Sequence, residues 1–280
     1  MMEELQFPNR ATEPGSRHYY CVRIAPASTH NDLALLFLWR QELRDILYRC
    51  SDPGVAHAKL KWYREELERA MEGKAQQPLA QALGEVIHRR QLPVQPFHRM
   101  TDALEADLSQ TWYDQMDSLH DYCRLDGGSL LQLVTQVCGG DEAEADCAEG
   151  LGAFIRLVDI IRNLGPGMAR GCRHLPKSEL GEAGLSLADT TKADNQEKLG
   201  ILLKGMGAHA LEWQASTLSS LPKGSHPALT PALSLATMNQ ALLAELNGSG
   251  FPVMNQRVCL TPLRKIWITW RSSHRAKKWT

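Results

Sequence analysis

The chain has 280 residues, of which 43% are hydrophobic, and its formal net charge at pH 7 is −1. This length allows one or two domains with a large core, and the near-neutral charge argues against a general nucleic-acid binder, which would be basic overall. The seven cysteines are scattered and form no C-x-x-C pair, so we expect reduced thiols rather than structural zinc or a disulfide framework.

The N-terminus has no basic region followed by an apolar region, so no secretory signal is predicted. No uncharged apolar run approaches the roughly 18 residues of a membrane span. We therefore expect a cytoplasmic protein that is at most peripheral on the inner face of a membrane.

Helical periodicity recurs along almost the whole chain, whereas the alternation typical of strands is absent. We expect residues 1–15 to form a flexible N-terminal arm, because they are polar and include two prolines. About nine to eleven helices are predicted, in a single all-α domain without a boundary linker. The main predicted helices lie at about 33–50, 53–73, 78–91, 96–110, 116–125, 129–139, 197–221 and 226–248.

A glycine pair, Gly127-Gly128, interrupts the helical pattern near the middle of the chain. Glycine costs stability inside a helix, so a pair there suggests that a backbone or a ligand approaches closely.

The segment 151–167 is predicted as a helix with two distinct stripes. The first stripe is apolar and is expected to be buried, whereas the second places Arg156, Asp159 and Asn163 on one face. The sequence Gly165-Pro166-Gly167 is expected to end this helix, since proline cannot extend it. A polar stripe on so apolar a helix is expected to face something other than bulk water.

Several segments follow one another in an order and spacing that resemble one family: GSRHYYCVRI, KLKWYREELERAMEG, QPLAQAL, DALEADL, DYCRLDGGSL and LVDIIRNLGPGMARGCRHLPKSEL. They resemble the motifs of the squalene/phytoene synthases, which are head-to-head prenyltransferases of isoprenoid metabolism. The resemblance covers residues 16–273, leaving a basic C-terminal tail at 274–280. It implies a single-domain helical bundle of the isoprenoid synthase type, with a central cavity that binds diphosphates such as farnesyl diphosphate.

The same resemblance implies two aspartate-rich motifs that hold Mg²⁺ on the diphosphates, because Mg²⁺ prefers carboxylate oxygens. Here the first motif falls on 44–48, where only Asp45 is acidic, and the second falls on Asn163 and Gly167. The family's asparagine corresponds to Asp159 and its glutamine to Arg156. No metal site is therefore expected, and Asp45 and Asp159 are the candidates if Mg²⁺ binds at all.

Arginines appear where carboxylates are missing, and a guanidinium can hold a phosphate directly. We therefore expect a prenyl diphosphate or a similar anionic lipid to bind without metal. Tyr122 matches the family's candidate proton shuttle, although ordinary packing is the simpler interpretation. The arginine and aspartate side chains could equally form local ion pairs on a helix surface. The predicted substrate-binding residues are Arg44, Asp45, Arg156, Asp159, Asn163 and Arg170.

Three functions remain open at this point. The first is a prenyl diphosphate binder whose Mg²⁺-dependent condensation is lost or altered, that is, a candidate pseudoenzyme. The second is an active prenyltransferase that uses Mg²⁺ through Asp45 and Asp159. The third is a non-enzymatic assembly factor, since a branch of this family similar to the respiratory complex I assembly factor also lacks the aspartate motifs.

The last segment is basic and aromatic, with no acidic residue after Glu245. Its apolar stripe, which comprises Leu263, Ile266, Trp267 and Trp270, is expected to dock on the bundle. The tail at 275–279 is basic, so an anionic membrane surface could attract it.

Overall fold

The computed structural model describes residues 3–221, 224 and 226–278, with side chains described at 4–221, 224 and 226–272. Within these residues the fold is all-α, as predicted, with one isolated bridge between Trp112 and Arg173. The helices are α1 Arg17–Ile24, α2 His30–Arg49, α3 Pro53–Met71, α4 Pro78–Arg90, α5 Gln95–Leu108, α6 Met116–Cys123, α7 Ser129–Val137, α8 Glu142–Arg162, α9 Leu164–Met168, α10 Lys177–Glu182, α11 Gln196–Ser219, α12 Thr230–Gly248 and α13 Pro262–Lys278.

Helix α8 is the central element, and α6, α7, α11 and α12 pack around it. It begins with a capping box in which Asp141 and Glu144 satisfy each other's backbone N–H groups. Nearly all of its residues from position 144 onward are buried, including the polar Arg156 and Asp159. The polar stripe therefore faces the interior of the protein, as predicted.

A π-helical turn, Arg124–Gly128, connects α6 to α7 and lies directly against α8. A Cβ atom on Gly127 would lie 2.4 Å from the Gly152 carbonyl oxygen, and a Cβ on Gly152 would lie 2.1 Å from the Gly127 oxygen. The glycine pair thus permits the close approach of a backbone, one of the two causes predicted.

Substituting Gly152→Ala is expected to lower the free energy of unfolding by about 1–3 kcal/mol, because the new methyl group would overlap a backbone that cannot move aside. The matched control is Gly205→Ala on α11, where a Cβ meets nothing within 4 Å. That change is expected to stabilise by up to about 1 kcal/mol through helix propensity. Urea denaturation of both variants checks the pair, and equal effects would contradict the close contact.

The helix with the polar stripe ends before Gly165-Pro166-Gly167, the sequence that was predicted to end it. Helix α8 ends at Arg162, and a separate short helix α9 contains these three residues. Pro166 lies in the first turn of α9, where its missing N–H has no intrahelical partner to lose.

The N-terminal segment, predicted as a flexible arm, packs on α2 in the part that the structure describes. Asn9, Ala11 and Thr12 are buried, and the Asn9 amide donates to the Ala34 carbonyl at 3.0 Å. Arg10 pairs with Glu42 and Asp45 of α2. Polar composition alone did not reveal these contacts, because the Asn9 amide and Arg10 find their partners on α2, more than 20 residues along the chain.

The apolar stripe of α13 faces outward, so the predicted docking of this stripe is wrong. The helix instead contacts α12 and α1 through its opposite side, where Ile268 is only 4% exposed. Lys265 is also on that side and donates to the Gly15 carbonyl at 2.9 Å. The tail at 274–280 has no described side chains. Among the described residues, no helix combines the length and the apolar content that a membrane span requires.

Candidate functional site

Five charged residues from four elements meet in the middle of the bundle, and we call them the central ion cluster: Arg40 and Arg44 of α2, Asp107 of α5, Asp126 of the π turn and Arg156 of α8. Asp126 accepts two hydrogen bonds from Arg40, at 2.6 and 2.9 Å. Arg156 Nε lies 2.7 Å from the Oδ2 atom of the same Asp126 carboxylate. The π turn places this carboxylate between α2 and α8.

Asp107 is the second anion of the central ion cluster and is bonded at both oxygens. Oδ2 pairs with Arg44 and accepts a hydrogen bond from the Tyr122 hydroxyl at 2.8 Å. Oδ1 lies 2.7 Å from His174 Nε2, which carries the proton because a carboxylate only accepts. Arg156 donates to the Tyr122 oxygen at 2.5 Å and so completes the ring of contacts.

The electrostatics keep these groups ionised despite their burial. Burial alone would raise the pKa of Asp107, but Arg44 and His174 outweigh it and hold the pKa well below its usual range. The same holds for Asp126, where Arg40 and Arg156 outweigh the cost of burial. Burial raises the pKa of Tyr122 well above its usual value, so its hydroxyl remains protonated. The cluster is thus a set of buried ion pairs around a neutral tyrosine, in which Arg156 Nε lies near Asp126 but makes no hydrogen bond.

Three of the predicted site residues, Arg44, Arg156 and Tyr122, therefore come together. The guanidiniums of Arg44 and Arg156 already form ion pairs with Asp107 and Asp126, so neither is an unpaired cation available to bind a phosphate group. Sequence reasoning missed Asp126 and Arg40, although Asp126 directly precedes the glycine pair that was singled out. The space beside them is small. A cavity of about 20 Å³ lies between Arg44, Arg156 and Asp159, room for about one water molecule.

Asp45 lies apart from the other predicted residues. Its carboxylate pairs with Arg10 at 2.7 Å and with Arg49 at 3.2 Å. Consecutive helical residues point about 100° apart, so Arg44 can face the bundle centre while Asp45 faces the N-terminal segment. This places the single carboxylate left from the first aspartate-rich motif outside the cluster.

Asp159 belongs to a second polar group, on the α1 side of α8. Arg17 donates to its Oδ1 at 2.7 Å and, through the same nitrogen, to the Asn239 side chain of α12 at 2.7 Å. Arg162 approaches the same carboxylate at 3.4 Å. Burial would raise the pKa of Asp159, but Arg17 and Arg162 lower it well below its usual range. Asp159 is therefore the counter-ion of both Arg17 and Arg162.

Asn163 and Arg170 lie at the rim, near Tyr48. The Asn163 amide donates to the Asp159 carbonyl at 2.8 Å and thus caps the end of α8. Arg170 donates to the Pro166 carbonyl at 2.8 Å, and its guanidinium lies 4.6 Å from the centre of the Tyr48 ring. Both residues border the opening between α8, α9 and α2.

Two clefts open at this rim and share Arg162 and Arg257. The Tyr48 cleft has a volume of about 480 Å³ and is lined by Tyr48, Arg162, Asn163, Pro166 and residues 253–257. The Lys265 cleft has a volume of about 270 Å³ and is lined by residues 16–18, Arg162, Met238, Asn239, Leu242, Arg257, Cys259, Leu260 and Lys265. Among the described residues that line them, none is acidic.

The residues shared by or bordering these clefts form a group with excess positive charge, which we call the basic group: Arg17, Arg162, Arg257 and Lys265. Asp159 is the carboxylate that Arg17 and Arg162 share. Arg162 Nε is buried and has no hydrogen-bond partner. Burial lowers the pKa of Arg162 although Asp159 opposes it, and Arg17 and Arg257 lower it further. Burial and nearby cations also lower the pKa of Lys265.

The residues present do not fit the Mg²⁺ cluster that the family resemblance implies. The carboxylates of Asp45, Asp107, Asp126 and Asp159 are each bonded to arginine, and Asn163 and Gly167 supply none. Asp107, Cys172 and His174 have ligand atoms within 4.8 Å of one another. A metal there would have to displace both Arg44 and the His174 hydrogen bond, beside further cationic arginines.

The stability of the protein is expected to fall as the pH is lowered from 7 to 5. Burial lowers the pKa of His174, and burial with Arg17 and Arg40 lowers that of His18 to about 3. The ordinary pKa of histidine is 6.5. Below that pH these two side chains take up protons more readily in the unfolded chain than in the folded chain. His18, with its pKa of about 3, costs about 1 kcal/mol per pH unit in this range, and His174 adds to the loss in the same direction.

The urea midpoint measured between pH 7 and pH 5 checks this dependence. His174→Asn keeps a donor for Asp107 and is expected to flatten the slope, whereas the surface change His88→Gln is expected to leave it unchanged. An identical slope in wild type and His174→Asn would contradict the assignment of a neutral buried His174. Below about pH 4 the loss is expected to steepen, because Asp107, Asp126 and Asp159, whose pKa values the fold lowers, then take up protons on unfolding.

The amino-acid sequence of this chain is similar to those of known proteins. The profile of the squalene/phytoene synthase family matches residues 11–264. Phytoene synthase of Mycobacterium tuberculosis is 24% identical, over 95% of this chain and 91% of its own length. A tomato (Solanum lycopersicum) chloroplastic phytoene synthase is 22% identical over 82% of this chain and 77% of its own.

Solved structures agree in fold. A dehydrosqualene synthase in complex with a ligand superposes with a TM-score of 0.80 at 17% identity, over 94% of this chain and 92% of its own. Squalene synthase from Alicyclobacillus acidocaldarius gives a TM-score of 0.71 at 23% identity, over 86% of this chain and 92% of its own. Because the family profile spans nearly the whole chain, the protein belongs to the squalene/phytoene synthase family.

Proposed function

We propose that this protein binds a prenyl diphosphate, such as farnesyl diphosphate, without a metal ion and does not perform Mg²⁺-dependent head-to-head condensation. The observation that carries the proposal is Arg162, a partly buried cation whose Nε is buried without a hydrogen-bond partner, at the junction of two clefts lined without acidic side chains. Charged groups taken out of water need a counter-ion. Arg17, Arg162 and Lys265 are partly buried and Arg257 is exposed beside them, and Asp159 supplies one negative charge against these four cations.

A diphosphate supplies the missing negative charge. Arginine holds phosphate oxygens in pairs of parallel hydrogen bonds, and lysine adds a point charge. Arg162, Arg257 and Lys265 line the Lys265 cleft together, so one diphosphate group can contact all three. The basic group therefore takes the role that metal ions and aspartates have in the family resemblance.

The prenyl chain also needs an apolar surface, and the Tyr48 cleft offers one. Tyr48, Pro166, Val253 and Met254 contribute to its walls, and its volume of about 480 Å³ is within the range of small-molecule sites. The bundle centre supports no such role, because the cavities beside Arg156 have volumes of only about 20 and 10 Å³. We infer that the chain lies in the Tyr48 cleft, with the diphosphate toward Arg257.

Loss of condensation follows from the state of the carboxylates. An ionising diphosphate needs its developing charge neutralised by metal ions held on aspartates. The buried aspartates near the centre are committed to arginines, and Tyr122 is bonded between Asp107 and Arg156. An active prenyltransferase, the main alternative, would have to break several buried ion pairs to assemble a metal site.

Product analysis tests the second half of this proposal. The full chain is incubated with labelled farnesyl or geranylgeranyl diphosphate and Mg²⁺, beside an active family synthase as positive control. We expect the substrate to be recovered unchanged while the control forms condensed hydrocarbon precursors. A condensed product from this chain would overturn the loss of condensation while still requiring that the diphosphate binds, and whether binding needs metal is measured separately by titration in EDTA.

A further inference from the structure

Helix α13 presents a continuous apolar stripe to solvent. Leu263 is 78% exposed, Ile266 47%, Trp267 53% and Trp270 58%. Their spacing of three and four residues puts them on one side of the helix, one above the other. Elsewhere in the chain, large exposed apolar side chains of this kind are more widely scattered.

The outward orientation of this stripe is fixed by the opposite side of the helix. Ile268 is 4% exposed and packs toward the bundle, where α13 contacts α12 and α1. The Lys265 ammonium donates to the Gly15 carbonyl, and Arg264 pairs with Glu245 of α12. Rotating the helix to bury the tryptophans would break these contacts.

The segment that carries the stripe is rich in positive charge. No acidic residue follows Glu245, whereas seven lysines and arginines do. The Arg271 guanidinium lies 5.2 Å from the centre of the Trp267 ring, so an apolar body and a cation lie side by side. Tryptophan beside arginine is the combination that suits the boundary between lipid headgroups and acyl chains.

We propose that the exposed stripe of α13 docks the protein on a bilayer containing anionic phospholipid. The apolar side chains would enter the headgroup boundary, and Arg271 beside Trp267, with the net positive charge of the segment after Glu245, would be attracted to lipid phosphates. A second copy of the chain fits less well, because a symmetric contact on this stripe would bring two cationic helices together.

Docking of α13 has a consequence for the neighbouring clefts. Lys265 is part of α13 and also lines the Lys265 cleft, on the side of the helix opposite the stripe, so the cleft would lie about one helix diameter, about 10 Å, from the lipid headgroups. Membrane docking itself does not depend on prenyl diphosphate binding, because it rests on the exposed stripe and its charge alone.

Vesicle co-sedimentation of the full chain tests the proposal. Vesicles of phosphatidylcholine alone are compared with vesicles in which a third of the lipid is phosphatidylglycerol. We expect binding to the anionic vesicles that weakens as salt is raised. The double variant Leu263→Asp/Trp267→Gln is expected to bind about tenfold or more weakly. Trp62→Gln, at an exposed tryptophan on α3, is the matched control and is expected to bind like wild type.

Circular dichroism and the urea midpoint establish that the variants fold, and Leu263→Asp alone provides a change at a largely exposed position. Failure of wild type to bind anionic vesicles would overturn the proposal. So would equal binding by wild type and the double variant, or a loss in Trp62→Gln as large as in the double variant. A concentration-dependent dimer that disappears in the double variant, without vesicle binding, would assign the stripe to a second copy instead.

Discussion

Replacing Asp126 by asparagine is expected to lower the free energy of unfolding by about 3–5 kcal/mol. Asp126 is buried and neutralises Arg40 and Arg156, with Arg44 3.9 Å away. Asparagine has nearly the same shape but no charge, so buried guanidiniums would be left without a counter-ion. Removing one partner of a buried ion pair is costly because the other charge remains out of water.

Urea denaturation at pH 7 measures this effect, with Asp102→Asn as the control. Asp102 pairs with Arg64 at 2.9 Å, but both side chains are largely exposed to solvent. Its loss is expected to cost less than about 1 kcal/mol. If Asp126→Asn unfolded at the same urea concentration as wild type, the central ion cluster would not be the ionised network described above.

Replacing Arg257 by glutamine is expected to weaken the binding of farnesyl diphosphate by about 10- to 100-fold. Arg257 lines both clefts and lies beside Arg162, whose pKa it helps to lower. Without ligand the two cations repel each other, so the variant is expected to be at least as stable as wild type. Weaker binding with unchanged or higher stability is a result that a purely structural arginine would not give.

Calorimetric titration of the variant measures the affinity, and its urea midpoint measures the stability. Arg264→Gln is the matched control, since Arg264 is a nearby arginine that pairs with Glu245 and lines neither of the two clefts. It is expected to bind the diphosphate like wild type. Equal losses of affinity in both variants would indicate a diffuse electrostatic effect rather than a site at Arg257.

Much of the fold could be predicted from the sequence, because the helices and their buried faces depend on residues that are close together along the chain. The periodicity of α8 required one apolar and one polar stripe, and both are present. Gly127 and Gly128 predicted a close approach, and the π turn does press its backbone against Gly152. Such features depend on residues only a few positions apart, and a sequence displays these directly.

Other features depended on partners that a sequence does not pair. Arg44 and Arg156 were correctly placed near each other, but their counter-ions Asp107 and Asp126 come from different elements. The stripe of α13 was correctly grouped, yet its direction is decided by Ile268 and Lys265, which contact other helices. Long-range contacts of this kind decide whether a charge is free or already neutralised, and therefore what the site can bind.

Calorimetric titration of the wild-type protein with farnesyl diphosphate, in EDTA and then in Mg²⁺, tests the central claim most directly. The account predicts binding in EDTA with an affinity that Mg²⁺ does not improve, because the basic group rather than a metal cluster supplies the counter-charge. Binding that requires Mg²⁺, or the absence of binding under both conditions, would contradict it.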